Sequence, residues 1–73
     1  MIEVRLFATL RDNREKILYL SHSDYPDAQS ILDVLKIDAK DVAILLINGR
    51  RSKPTDVVKD MDVVALFPPV GGG

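Results

Sequence analysis

Residues 2–9, IEVRLFAT, alternate strictly: Ile2, Val4, Leu6 and Ala8 fall on one side, with Glu3, Arg5, Phe7 and Thr9 on the other. Alternation with a period of two predicts a half-buried β-strand, and it leaves Phe7 on the charged side. The polar, turn-prone stretch RDNREK leads to ILYL at 17–20, a second strand. The two strands are expected to form a hairpin with a loose connection. Pro26 holds the backbone extended, and Asp27 can cap the helix that follows. Ala28, Ile31, Leu32 and Leu35 then recur at helical spacing, with Gln29, Ser30, Asp33 and Lys36 outward. The helix is expected to end near Ile37 and Asp38.

VAILLI at 42–47 is rich in strand formers and closes on Asn48-Gly49, a strong hairpin signal. The return strand at 50–52 is short and breaks before Pro54, and residues 56–62 read as a turn-rich connection. VVALF at 63–67 forms the last strand, stopped by Pro68-Pro69, which lack backbone donors. On alternation, Val64 and Leu66 face the helix, while Val63, Ala65 and Phe67 point away. The expected class is α+β: a mixed sheet of four to five strands with one main helix packed on one face. Pairing the first and last strands in parallel at the centre makes this a β-grasp, or ubiquitin-like, arrangement. Ala8 and Phe67 then come to the same end of the sheet. Residues 1–67 form the expected domain, and 68–73 a flexible C-terminal tail.

Composition narrows the chemistry. Seventy-three residues leave room for one small domain with a thin core. A net charge of −1 argues against nucleic-acid binding, which needs a basic face to neutralise phosphates. With no cysteine and one histidine, disulfides, thiolate chemistry and a metal site are not expected. The longest apolar runs are too short to span a bilayer, and the charged opening MIEVRLF is unlike a signal peptide. A cytoplasmic protein is therefore expected.

The chemistry that remains lies in the ending FPPVGGG, at 67–73. Preceded by VVKDMD and the VVALF strand, it resembles the C-terminal signature of the small sulfur-carrier subunit of molybdopterin synthase. Relatives of that type commonly end in a Leu-x-Asp-Gly-Asp turn, a strand, and Phe-Pro-Pro-Val-x-Gly-Gly. The N-terminal VRLFATLRD is similar to the first strand of the same family, including the Phe-Ala pair and Arg11. A diglycine ending alone is shared with thiamine-pathway carriers, tRNA-thiolation carriers and ubiquitin-like modifiers.

The resemblance implies a carrier whose reactive group is its own terminus. An ATP-dependent adenylating enzyme of the ubiquitin-activating type would activate the Gly73 carboxylate, and a sulfur donor would convert it to a thiocarboxylate. No bound cofactor is implied, only a covalent 1-thioglycine. The large synthase subunit would bind the tail, in a heterotetramer, and sulfur would pass to a pyranopterin precursor to build the molybdopterin dithiolene. Gly72 and Gly73 suit this task because a segment without Cβ atoms can thread a narrow channel. Gly71 and Val70 belong to the same threading tail, and Pro68-Pro69 favour an extended segment that projects it. Phe7 and Phe67 would share one outer face beside the tail as a docking patch, with Arg11 and Arg51 as further partner contacts.

The residues leave alternatives open. The same chemistry could serve thiamine synthesis or tRNA thiolation, the activated terminus could modify a lysine, or the Phe7/Phe67 patch could act as a binding surface with an idle tail. His22 reads as a solvated loop residue, and Arg50 with Arg51 as a surface pair that could guide a partner. Two positions depart from the family pattern. Met61 stands at the turn position usually held by Gly, and Arg51 where a less polar residue is expected.

Overall fold

A computed structural model describes residues 1–69 of the chain. Five strands, β1 (Ile2–Leu6), β2 (Ile17–Leu20), β3 (Ile44–Ile47), β4 (Arg50–Arg51) and β5 (Val63–Phe67), form one sheet in the order β2-β1-β5-β3-β4. β1 and β5 pair in parallel at its centre, and the other neighbours pair antiparallel. One helix, α1 (Ala28–Leu35), covers one face. This is the expected β-grasp fold.

The alternation of each strand decides its faces. Ile2, Val4, Leu6, Leu45, Ile47, Val64 and Leu66 turn inward and are buried against Ala28, Ile31 and Leu32 of α1. Leu10, Ile37 and Val58 close the ends of this core.

Every end of α1 is satisfied. Asp27 accepts from the Ser30 amide at 2.8 Å, and the Ser30 hydroxyl accepts in return from the Asp27 amide, a reciprocal capping box. The connection before β5 supplies the next acceptors. Ala28 N–H donates to the Asp56 carbonyl and Gln29 N–H to that of Pro54. At the other end Lys36 turns left-handed, with φ of 58°, and Ile37 N–H reaches back to the Leu32 carbonyl.

Two strands are shorter than the alternation predicts. β1 ends at Leu6, not Thr9, because Ala8 adopts φ of 52° and starts a 3₁₀ helix, Ala8–Arg11. Ala8 is therefore exposed, and Leu10 takes the core position expected of it. β3 begins at Ile44 because a second 3₁₀ helix, Ala39–Asp41, occupies the approach. The Asn48-Gly49 hairpin forms as expected, with φ of 53° and 81°. Gly49 supplies the conformation that a Cβ would disfavour.

Candidate functional site

β5 ends where the candidate tail begins, and its last residues are held from both sides. Phe7 N–H donates to the Leu66 carbonyl at 3.2 Å, and Ala43 N–H to the Phe67 carbonyl at 2.8 Å. Pro68 and Pro69 have no N–H to continue either ladder, so regular pairing stops at Phe67. Pro68 is half-buried and Pro69 exposed. The candidate residues Val70, Gly71, Gly72 and Gly73 lie outside the described residues.

Beside this root stand the two phenylalanines. The parallel register pairs Leu6 with Leu66, so one step further Phe7 comes opposite Phe67, both outward. Their rings stack with centroids 4.2 Å apart and planes 9° from parallel. The 3₁₀ turn after Phe7 brings Arg11 back over it. The Arg11 guanidinium carbon lies 5.4 Å from the Phe7 centroid, and Nε donates to the Leu6 carbonyl at 2.8 Å. The charge of Arg11 is thus held beside the aromatic pair by backbone and π-face together.

Ile44 pairs with Phe67, and Leu46 with Ala65, on the same outward side. With the two rings they make a half-buried apolar strip across β1, β5 and β3. Arg51 faces Leu46 across the β3–β4 pair and lies at the margin of the strip. Arg50, next to it, alternates to the helix side. The structure therefore gathers Phe7, Phe67 and Arg11 at the tail root and sets Arg51 farther along the same face.

Arg14 has a role that carries no signal in the sequence. Its guanidinium donates to the Leu35 carbonyl through Nε and Nη2, at 3.3 and 3.2 Å, and through Nη1 to the carbonyls of Leu10 and, at the limit of hydrogen-bonding distance, Asp12. It thereby ties the C-terminus of α1 to the 3₁₀ helix that positions Arg11. Twenty-one residues separate Arg14 from Leu35, beyond any local pattern. A shallow groove of about 450 Å³ runs between Arg14 and the tail root, lined among others by Leu10, Lys36, Asp41, Pro68 and Pro69.

The opposite end of the sheet holds the remaining titratable cluster. The N-terminal ammonium donates to Asp60, and His22 Nδ1 lies 3.5 Å from the same carboxylate. The ammonium's hydrogen bond and charge hold the Asp60 carboxyl below its ordinary value, with a smaller contribution from His22. His22 is exposed and a full strand length from the tail root. Among the described residues no group of three or more His, Asp or Glu side chains could hold a metal ion, and no helix is long and apolar enough to cross a membrane.

The family model described as the ThiS family matches residues 4–73. No relative is found among curated protein sequences. Among solved structures, SAMP1 from Haloferax volcanii is 23% identical with a TM-score of 0.75, covering 99% of this chain and 98% of that one. A second crystal structure, of H. volcanii small archaeal modifier protein 1, is 22% identical over 94% of this chain and 97% of that one, with a TM-score of 0.76. In a complex of subunits 1 and 2 of molybdopterin-converting factor from Helicobacter pylori 26695, one chain is 23% identical, with a TM-score of 0.64 and coverage of 99% and 97%. These likenesses establish the shared fold.

Proposed function

This chain belongs to the ThiS family, and on that premise we propose that the carboxylate of Gly73 is its reactive group. It is a ubiquitin-like protein of the sulfur-carrier and modifier class. The observation that carries the proposal is the ending of β5. The strand is tied on both sides up to Phe67 and then released by two prolines, while the family match continues through Gly73.

A carboxylate is a poor acyl donor because oxide is a poor leaving group. A carboxylate oxygen of Gly73 attacks the α-phosphorus of ATP and expels pyrophosphate, giving an acyl-adenylate. A sulfide-level nucleophile then attacks the carbonyl carbon, the bond to AMP breaks, and a thiocarboxylate remains. The carrier contributes no catalytic side chain. It presents the terminus on a segment narrow enough to enter two different active sites that exclude water.

The acceptor we favour is the pyranopterin precursor of molybdopterin, with the large synthase subunit docking on the apolar strip. The FPPVGGG ending supports this choice, as does the shared fold with a subunit that forms a two-subunit complex in H. pylori. The second reading is modification of a lysine, supported by the likeness to small archaeal modifier protein 1. Both use the same adenylate and differ in what captures the acyl or sulfur group. Removal of Gly73 tests the shared step. The shortened protein should fold normally yet form no adenylate with ATP and its adenylating enzyme. Retained adenylation at the wild-type rate would refute the proposal. Isopeptide-linked products in place of sulfur delivered to the pterin precursor would select the second reading.

A further inference from the structure

The outward face of the sheet has an uneven charge. It carries Glu3, Arg5, Arg11 and Arg51, and the Arg5 guanidinium donates to Glu3 on its own strand. Arg11 rests on Phe7 and a backbone carbonyl, and Arg51 has no ion pair among the described residues. Among the described residues two cations on this face therefore have no ion-pair partner, in a chain whose net charge is −1. The segment that carries α1 is the reverse. Residues 21–43 carry Asp24, Asp27, Asp33, Asp38 and Asp41 against Lys36 and Lys40.

Arg51 differs from Arg11 in what lies beneath it. Across the middle of the outer face the register aligns Arg5, Ala65, Leu46 and Arg51 on four successive strands. Ala65 leaves a low floor between the bulkier neighbours, and Arg51 closes that row at the β4 edge. A partner that fills the floor with apolar side chains brings its margin down onto Arg51. An apolar margin would strip water from the guanidinium without replacing its hydrogen bonds, which opposes docking. A carboxylate there restores them and adds attraction during approach.

Building on the carrier reading, we propose that Arg51 makes this face selective for an adenylating-enzyme surface whose apolar centre is bordered by a carboxylate. Arg50 supplies the internal control, since it has the same charge on the same two-residue strand but faces the other side of the sheet.

The test is ATP–pyrophosphate exchange by the organism's own adenylating enzyme, measured against carrier concentration for wild type and for Arg51→Glu, Arg51→Leu and Arg50→Glu. All variants are first checked for wild-type thermal melting. Arg51→Glu should raise KM about tenfold or more at unchanged kcat, and Arg51→Leu by about threefold, as for loss of one interfacial charge partner. Arg50→Glu should stay within about twofold, and the Arg51→Glu deficit should shrink as salt rises from about 0.05 to about 0.5 M. Equal effects of Arg50→Glu and Arg51→Glu would reduce the matter to net charge and overturn the proposal. So would an Arg51→Leu carrier that binds as well as wild type or better. If the wild-type carrier supports no exchange, the carrier reading fails and takes this proposal with it.

Discussion

Phe7 and Phe67 stack face to face, 4.2 Å between centroids, although sixty positions separate them in the chain. The parallel β1–β5 register puts them opposite each other at the point where regular pairing ends. The pair thus belongs both to the fold and to the surface from which the tail leaves.

Its contribution to the fold is measurable by a double-mutant cycle. Phe7→Ala and Phe67→Ala should each destabilise the domain modestly, because both side chains are only half-buried. The coupling between them should be about 0.5–1.5 kcal/mol in urea unfolding, as for stacked aromatic pairs. Additive effects would mean that the rings touch without supporting each other. In exchange assays with the adenylating enzyme, either variant should lose carrier affinity well beyond its loss of stability.

Met61 is held at φ of 72° and is highly exposed. A side chain in this region is strained by about 1–2 kcal/mol, and glycine returns part of the gain through its unfolded-state freedom. Met61→Gly should therefore raise stability by about 0.5–1 kcal/mol, or a few degrees in Tm. Adenylation should be unchanged, because Met61 lies at the end of β5 remote from the tail. A lower Tm would show that the Met61 side chain makes a contribution larger than the strain.

Arg14 should prove costlier to lose than its polar surroundings suggest. Arg14→Ala should destabilise the domain by about 1–2 kcal/mol, the scale of charge-assisted hydrogen bonds at a partly exposed site. Arg14→Lys should recover only part, since one ammonium cannot span the carbonyls of Leu35 and Leu10 as a guanidinium fork does. Hydrogen exchange should speed up in the last turn of α1 and in the 3₁₀ helix together. Acceleration in only one of them would contradict the tie between them.

Much of this arrangement is legible in the chain where a periodic pattern or a turn pair carries it. Alternation places Val64 and Leu66 inward and Phe67 outward, and Asn48-Gly49 marks its hairpin. The departure at Met61 leaves open a strained left-handed turn or a changed turn type, and the structure decides for the left-handed one. The misplaced features depend on weak local preference or distant partners. Nothing in the Phe-Ala-Thr run distinguishes continued strand from the left-handed turn at Ala8, because alanine and threonine satisfy the alternation without needing burial. Arg11 meets Phe7 only because that turn occurs, and Arg14 finds the end of α1 only once the sheet has folded. The Asn48 side chain shows the same limit. Beyond its turn it accepts from Val63 N–H at 2.9 Å and donates to Asp62, fastening the hairpin to the start of β5.

The central claim concerns the terminal carboxylate, and intact-mass analysis of the protein purified from its own cells tests it most directly. A fraction of molecules should carry the sulfur-for-oxygen increment, localised by fragmentation to the C-terminal peptide at Gly73. That fraction should rise on incubation with ATP, the adenylating enzyme and a sulfide donor. An unmodified carboxylate in every molecule, both as isolated and after that incubation, would contradict the sulfur-carrier account.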